Sequence, residues 1–244
     1  MSSANTSRPA FWRGARDAGP FLFVAGPFGA LFGVVATEAG LNLAQVMGFS
    51  VVVIAGASQL AALQLMLDQA PAVIVLLSAV AVNLRMAMYS ASLAPYLGAA
   101  PLWKRALVAY MNVDQTYAVS VLTFEDQPQM TLAERLSYFF GTCLPIIPVW
   151  IITTYIGALL GEAIPSDWDI TFAVPVAFLA MVAPALRTPA HIAAAAASVV
   201  LAIVFGGLPY NLGLMPAGIG AMIVGAEVER RMGARFTPPS GGAK

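Results

Sequence analysis

Long apolar runs, separated by short polar or Pro/Gly-rich breaks, dominate this chain. A helix needs about 20 mostly apolar residues to cross the hydrocarbon core of a bilayer. The fold class predicted from this pattern is an all-α polytopic membrane bundle of seven to eight segments. The eight candidate spans lie near Ala18–Thr37, Leu43–Leu67, Pro71–Leu97, Leu102–Phe124, Leu136–Leu160, Ile170–Leu186, Pro189–Phe205 and Tyr210–Ala226.

Composition and charge narrow the class of protein further. Of the 244 residues, 59% are hydrophobic and 10% are charged, and the mean hydropathy is +0.80, whereas soluble domains carry about 25% charged residues. Twelve basic and twelve acidic side chains cancel, and no basic cluster offers a surface for nucleic acid. Cys143 is the only cysteine, which excludes an internal disulfide and a multi-cysteine metal site. We therefore predict no catalytic residue, metal or cofactor.

The connections between the runs are too short for a soluble domain. The sequence predicts a single transmembrane domain over residues 18–227, between a cytoplasmic N-terminal segment (1–17) and a cytoplasmic C-terminal tail (228–244). Arginines flank both ends of the predicted domain, and basic residues mark the cytoplasmic side of membrane helices. Both termini should therefore face the cytoplasm, which requires an even number of crossings.

Eight crossings conflict with the charges at one point. They place Lys104 and Arg105 on the outer face, against the preference of basic residues for the cytoplasm. A re-entrant pair of half-helices in Pro71–Leu97 would remove the conflict locally, but it would reverse the orientation of everything downstream. Both alternatives remain open from the sequence.

A weak internal repeat is visible in the positions of prolines. A shift of 118 residues places Pro27 on Pro145 and Pro71 on Pro189. Secondary transporters are often built from duplicated halves, with the substrate near the midplane where interrupted helices meet. The shift favours two related halves with interrupted helices.

Two charged residues lie deep inside apolar runs. Arg85 follows Pro71 by 14 residues, roughly 21 Å along a helix, and Asp114 is similarly deep in the next run. A charge in hydrocarbon costs about 2.5–3.5 kcal/mol even on lenient scales. Because an isolated charge at this depth would be strongly destabilising, we predict that Arg85 and Asp114 lie within salt-bridge distance or share one ligand.

Each charge also belongs to a polar stripe, since residues spaced i, i+4 and i+7 share one face of a helix. The stripes are Arg85, Tyr89 and Ser92 in the third run, and Tyr110, Asp114 and Tyr117 in the fourth. Two interpretations stay open, a structural ion pair between helices and a substrate site in which Asp114 is the coupling candidate.

Small residues are concentrated in three other runs. Gly56-Ala57-Ser58-Gln59 combines small residues with hydrogen-bonding side chains, so its freed N–H groups could bind a carboxylate, or it could form a tight helix contact with Ser58 bonded to its own helix carbonyls. Gly29-x-x-x-Gly33, with Gly26, is typical of a close-packing face. The alanine run Ala193–Ala197 has the same interpretation.

Four groups of residues stand out by their order and spacing. They are Pro27-Phe28-Gly29 with Gly33, Ala55-Gly56-Ala57-Ser58-Gln59, Asn83-Leu84-Arg85 with Met88-Tyr89-Ser90, and Asp114 with Tyr117-Ala118. Together they resemble the AzlC family, the large subunits of two-component branched-chain amino-acid exporters. The resemblance extends from about Gly19 to Arg231. In the family pattern a histidine usually follows Asn-Leu-Arg and a glutamate follows the aspartate, whereas Met86 and Gln115 stand here.

The resemblance implies a secondary transporter of the bacterial inner membrane. It implies export of leucine, isoleucine, valine and, as a further candidate, methionine, together with a small multi-helix AzlD-like membrane subunit. The missing histidine and glutamate leave proton coupling and the exact amino acid open. Besides this partner and the amino acid, the lipid bilayer is the expected surrounding, and no nucleic acid is expected.

The chemistry of the buried polar residues suits a zwitterionic amino acid. Such a substrate needs donors for its carboxylate, an acceptor for its ammonium group and an apolar slot for its side chain. Arg85 or the N–H groups of Gly56–Gln59 can supply the donors and Asp114 the acceptor. The predicted substrate-binding residues are Gly56, Ser58, Gln59, Asn83, Arg85, Tyr89, Asp114 and Tyr117.

Other functional classes remain as alternatives. A membrane channel or a structural membrane subunit would also tolerate a buried polar pair. An intramembrane serine protease would need Ser58 as nucleophile and the only histidine, His191, as base. The protease is the weakest alternative, because Ser58 lacks the usual following glycine and His191 follows Pro189 near a predicted membrane interface.

Overall fold

The computed structural model describes residues 4–163, 186, 188–208 and 213–236. These residues belong to two compact units, divided between Val174 and Pro175. Within the described residues every regular element is a helix, as the hydropathy pattern predicts. The predicted span Ile170–Leu186 lies almost wholly outside the described residues.

Three apolar helical segments of the first unit are long enough to cross a membrane. The first comprises helix α1 (Ala4–Ala18), a 3₁₀ turn (Gly19–Phe21) and helix α2 (Leu22–Glu38). The other two are α5 (Ala72–Leu97) and α8 (Leu132–Ala163). Because α5 is one continuous helix of 26 residues, the re-entrant alternative for Pro71–Leu97 is wrong.

Four shorter helices replace two of the predicted spans. Helices α3 (Leu43–Val52) and α4 (Gly56–Leu67) occupy Leu43–Leu67, and α6 (Leu102–Met111) and α7 (Asp114–Asp126) occupy Leu102–Phe124. Each has 10 to 13 residues, about 15–20 Å at 1.5 Å per residue. This is shorter than the hydrocarbon core of about 30 Å, so the prediction of two continuous spans is corrected here.

Both pairs are interrupted by the same kind of backbone turn. At the first break the Ala55 N–H bonds the Val53 carbonyl (2.8 Å), and at the second the Val113 N–H bonds the Met111 carbonyl (3.1 Å). These bonds reach two residues back, where a helix reaches four. The Thr116 hydroxyl stabilises the second break, since it accepts from the Val113 N–H (2.9 Å) and lies 3.1 Å from the Met111 carbonyl.

The second break also corrects one of the predicted polar stripes. Tyr110 lies on α6 and Asp114 begins α7, so Tyr110, Asp114 and Tyr117 do not share a continuous helical face. The hydroxyl of Tyr110 instead donates to the carbonyl of Val51. That carbonyl is free because the first break removes its helical partner, the N–H of Ala55.

The direction of the long helices follows from their contacts. Gly14 of α1 packs against Tyr138 of α8, and Gly33 of α2 packs against Thr154, so α1–α2 and α8 run parallel. The end at which α1 and α8 begin is called the basic end below. The end at which α2 and α8 finish, with Glu38, is called the distal end.

Helix α5 runs in the opposite direction. The guanidinium of Arg135, near the start of α8, lies 5.2 Å from the ring centre of Tyr96, near the end of α5. Helix α5 therefore ends at the basic end and begins with Ala72 at the distal end. Its direction determines where both helix pairs enter and leave the unit.

Helices α3 and α4 form a first hairpin that opens at the distal end. A tight turn, in which the Leu41 N–H bonds the Ala36 carbonyl (3.1 Å), leads from α2 into α3. Helix α4 returns beside α5, with Ser58 bonded to Asn83 (3.2 Å), and residues 68–71 connect it to the start of α5. Both feet of the first hairpin are thus at the distal end.

Helices α6 and α7 form a second hairpin that opens at the basic end. Helix α7 runs parallel to α5, because Arg85 pairs with Asp114 and Tyr96 packs on Phe124 further along both helices. Residues 98–101 place the start of α6 beside the end of α5. Both feet of the second hairpin are thus at the basic end.

The tips of the two hairpins meet halfway along the long helices. Ile54 in the first break and Val113 in the second pack into one apolar cluster with Ala18, Ala25 and Ile146. Ile146 lies at the middle of α8, and Tyr110 connects the tips directly through the Val51 carbonyl. Interrupted helices therefore converge at the centre of the first unit.

The glycine-rich face of α2 packs closely on α8. A Cβ at Gly29 would lie 3.0 Å from the Trp150 carbonyl oxygen, and one at Gly33 would lie 2.6 Å from the Ala158 backbone nitrogen. On α8, Gly157 faces the backbone of Ala30 in the same way. The predicted close-packing role of Gly29 and Gly33 is confirmed.

Gly33→Ala should lower the thermal midpoint of the purified protein, because overpacking a tight contact costs about 1–3 kcal/mol. Gly48→Ala is the matched control, since Gly48 also lies in a helix but a Cβ there meets nothing within 4 Å. Alanine is favoured over glycine in helices by about 1 kcal/mol, so this control should be neutral or stabilising. Equal midpoints would contradict the close packing of α2 on α8.

The second unit contains helices α9 (Pro189–Val204) and α10 (Leu214–Phe236). They pack antiparallel, with Gly225 of α10 against Ala194 and Gly220 against Leu201. The alanine run of α9 thus forms a close contact, as predicted. The single-domain boundaries remain a prediction, and the proposed 118-residue repeat would require residues that are not described.

Candidate functional site

The predicted ion pair is present at the centre of the first unit. Arg85 Nη2 lies 3.3 Å from Asp114 Oδ2, and Arg85 is near the midpoint of α5. Asp114 is the first residue of α7, where the positive end of the helix dipole also favours a carboxylate. The second break therefore gives Asp114 two sources of stabilisation at a depth where an isolated charge is costly.

The remaining residues of the α5 stripe contact α7. The rings of Tyr89 and Tyr117 stack with their centroids 4.1 Å apart and their planes 9° from parallel. The Tyr117 hydroxyl lies 3.1 Å from that of Ser92, and the Tyr89 hydroxyl interacts with Asp114. The shared face predicted for Arg85, Tyr89 and Ser92 is confirmed.

A second polar group connects α4 to α5. The Ser58 hydroxyl donates to the Ala79 carbonyl (3.1 Å) and accepts from the Asn83 amide (3.2 Å). Ser58 thus forms an interhelical contact, in place of the bond to its own helix that was the structural alternative. Asn83 is two residues from Arg85, so the Gly56–Gln59 segment and the ion pair contact α5 at a similar depth but on different sides of the helix.

Several buried polar atoms of α4, α5, the second break and α7 lack hydrogen-bond partners within the described residues. Both side-chain heteroatoms of Gln59, which is fully buried, are unpaired. The others are Asn83 Oδ1, Arg85 Nε, Asn112 Oδ1 and Asp114 Oδ1. Buried polar groups of folded proteins are normally satisfied, so this concentration of free donors and acceptors is typical of a ligand site.

The ion pair is also only partly covered. The side chains of Arg85 and Asp114 are 30% and 36% exposed, and one polar atom of each has no hydrogen-bond partner in the described part of the chain. An ion pair that serves only to join two helices is expected to be sealed and fully hydrogen-bonded. The incomplete pairing favours a role in binding a ligand.

Gly56 at the first break is enclosed by aromatic rings. A Cβ there would contact Phe28 Cε1 and lie 2.6 Å from Trp150 Cη2. The Trp150 indole N–H donates to the buried Ser50 hydroxyl (2.8 Å), which lies 3.2 Å from the Thr154 hydroxyl. The start of α4 is therefore held against α8 by a fixed aromatic wall.

Sequence reasoning did not identify three residues that shape this region. Asn112 lies in the second break, is 2% exposed and donates to Ser90 (3.5 Å). Ser50 and Trp150 fix the end of α3. Asn112 was detectable as a polar residue next to Asp114 inside an apolar run, but the Ser50–Trp150 contact joins positions 100 residues apart.

The site provides complementary groups for a small zwitterion. Arg85 Nε and the Gln59 amide supply donors, and Asp114 Oδ1 and Asn83 Oδ1 supply acceptors. Ser58 contacts an amide and a carbonyl, neither of which can take its proton as a catalytic base would. His191 belongs to the second unit and is not described relative to Ser58.

Comparison with known proteins identifies one family. The sequence model of the family described as AzlC protein matches residues 20–164. The match covers more than half of the chain, and it includes both hairpins and every predicted site residue. No curated protein and no solved structure matches the chain.

Proposed function

The chain belongs to the AzlC family, and from that premise we propose that it is the large subunit of a secondary transporter that exports branched-chain amino acids. The proposed substrates are leucine, isoleucine and valine, with methionine as a further candidate. Membership in this family and the long apolar helices of the first unit make it a membrane protein related to transport. The substrates and direction of transport are the proposed part.

One observation carries the proposal at the level of the site. A charged pair with unpaired polar atoms lies where two interrupted helices meet, halfway along the long helices. Secondary transporters bind substrates at such positions, because broken helices expose backbone groups and dipole ends to the ligand. A purely structural subunit has no need for this concentration of unpaired polar groups.

The site residues have distinct proposed roles. Arg85 and the start of α4 at Gly56–Gln59 bind the substrate carboxylate, since both provide donors and positive potential. Asp114 binds the ammonium group and is the coupling candidate. Asn83 and Ser58 position Arg85 and α4 through their hydrogen bond, and the stacked Tyr89 and Tyr117 form a wall beside Asp114.

The proposed transporter has two kinds of subunit. The resemblance to the family implies a small multi-helix AzlD-like partner in the same membrane. The cytoplasmic membrane of a bacterium, with both termini of this chain in the cytoplasm, is the proposed location. No ATP-binding component is included, so transport would be driven by a gradient.

Intracellular amino-acid levels test this function directly. Cells that lack their own exporters are loaded with dipeptides containing leucine, valine, isoleucine or methionine, and free amino acids are measured over time. We expect cells with this chain and its partner to retain less of at least one of these amino acids than cells with the partner alone. Alanine-containing dipeptides control for general leakage. Equal retention of all four would contradict the proposed substrates.

A further inference from the structure

We propose that the two hairpins are re-entrant, that they enter the membrane from opposite faces, and that each separates the Arg85–Asp114 site from one aqueous phase. The first hairpin consists of α3 and α4 and the second of α6 and α7. The part concerning gating depends on the proposed transport function. The part concerning topology does not.

The lengths and directions of the four short helices indicate that both hairpins are re-entrant. None of the four short helices can cross about 30 Å of hydrocarbon alone, and the two helices of each hairpin return to the end of the unit from which they came. The first hairpin has both feet at the distal end, next to Glu38 and Ala72, and the second has both feet at the basic end, next to Leu97 and Leu132. Only α1–α2, α5 and α8 pass from one end to the other.

The backbone breaks at the two hairpin tips are buried, as is required of non-helical backbone inside a membrane. Non-helical backbone is tolerated at membrane depth only where protein or a water-filled cavity surrounds it. In the first break Ala55 is 8% exposed, and in the second Asn112 and Val113 are 2% and 7% exposed. Val53 and Ile54 of the first break are half-buried, so protein covers most of the backbone at both tips, as re-entrant tips require.

The distribution of lysine and arginine residues indicates which end of the unit faces the cytoplasm. Six of the seven lysine and arginine residues in the described part of the first unit lie in the half nearer the basic end, and the seventh is Arg85. The six are Arg8, Arg13, Arg16, Lys104, Arg105 and Arg135. Because basic residues mark the cytoplasmic side, the basic end faces the cytoplasm. Lys104 and Arg105, which eight crossings place on the wrong side, are then cytoplasmic.

The first unit contains the same order of elements twice, namely a short helix, a break, a second short helix and a long helix. The first set starts at residues 43, 56 and 72 and the second at 102, 114 and 132, offsets of 58 to 60 residues. The two sets have opposite directions in the membrane. Inverted repeats of this kind with a central site are the usual basis of alternating access, so each hairpin can cover the site from its own face.

Cysteine labelling in intact cells tests the topology. Ala70→Cys lies between α4 and α5, and Ala99→Cys lies between α5 and α6. A membrane-impermeant maleimide applied from outside should label Ala70→Cys and leave Ala99→Cys unlabelled. Eight full crossings give the opposite result, because they place residue 70 inside and residue 99 outside. The native Cys143 is buried, so the unmodified chain serves as the background control.

Two further variants calibrate the assay. Ala44→Cys, at the start of α3, should label from outside under both topologies, and Gln129→Cys, between α7 and α8, should label only after the cells are permeabilised. Permeabilised cells also establish that every introduced thiol reacts. Any result in which Ala70→Cys does not label from the same side as Ala44→Cys, or Ala99→Cys labels from outside, overturns the proposal. Loss of amino-acid efflux without such a result would count against the proposed function alone.

Discussion

Asp114→Asn should reduce efflux of branched-chain amino acids to nearly the level of cells without the chain. The substitution removes the negative charge that pairs with Arg85 and that is proposed to bind the substrate ammonium group, since the amide oxygen of asparagine accepts hydrogen bonds but is uncharged. Losing one partner of a charge pair costs about 2–5 kcal/mol when the membrane and a bound substrate shield the pair from water, which is at least tens of fold in affinity at about 1.4 kcal/mol per decade. Efflux and substrate binding by the purified protein are the measurements.

The control for this variant lies at the other end of the same helix. Asp126→Asn removes an exposed carboxylate from the last residue of α7, where a negative charge is unfavourable for the helix dipole. It should leave efflux unchanged. Folded-protein yield must be compared for both variants, because misfolding also abolishes efflux. Normal efflux by well-folded Asp114→Asn would make Asp114 a purely structural residue and would move the proposed site to Gly56–Gln59.

The ion pair was predictable because hydrocarbon makes an isolated charge expensive. Arg85 and Asp114 are the only charges deep in the third and fourth apolar runs, so each requires the other at nearly the same depth. The same reasoning identified the stripe on α5, since α5 is a continuous helix. For these residues, periodicity and the cost of burial were sufficient.

The first helix break was not predictable from hydropathy, because apolar residues continue through it, and within the second break Asn112 was the only polar residue that could have indicated it. Val51–Ile54 is uniformly hydrophobic, and a window of about 20 residues averages a hairpin and a span alike. Lys104 and Arg105 did indicate a re-entrant segment, but the pattern assigned it to Pro71–Leu97. The turns that interrupt the helices depend on tertiary contacts, such as the hydrogen bond from the Tyr110 hydroxyl to the Val51 carbonyl.

Locking the first hairpin to α8 should stop transport reversibly. Ser50 near the end of α3 and Thr154 on α8 have their hydroxyl oxygens 3.2 Å apart, so a disulfide between Ser50→Cys and Thr154→Cys requires little backbone movement. If the first hairpin must move against α8 to open the site, oxidation should reduce efflux to background, and a reductant should restore it. Cys143→Ala in every variant removes the native thiol.

The matched controls separate the lock from the loss of a hydrogen bond. Ser50→Cys alone also removes the hydroxyl that accepts from Trp150, but it cannot form the disulfide, so its efflux should not respond to oxidant. The extent of cross-linking is measured by mass spectrometry of the isolated protein. A fully cross-linked protein that still exports at the reduced rate would show that the first hairpin stays fixed on α8 during transport. In that case opening from the distal side would have to come from α2 or α5, the other long helices that border the first hairpin.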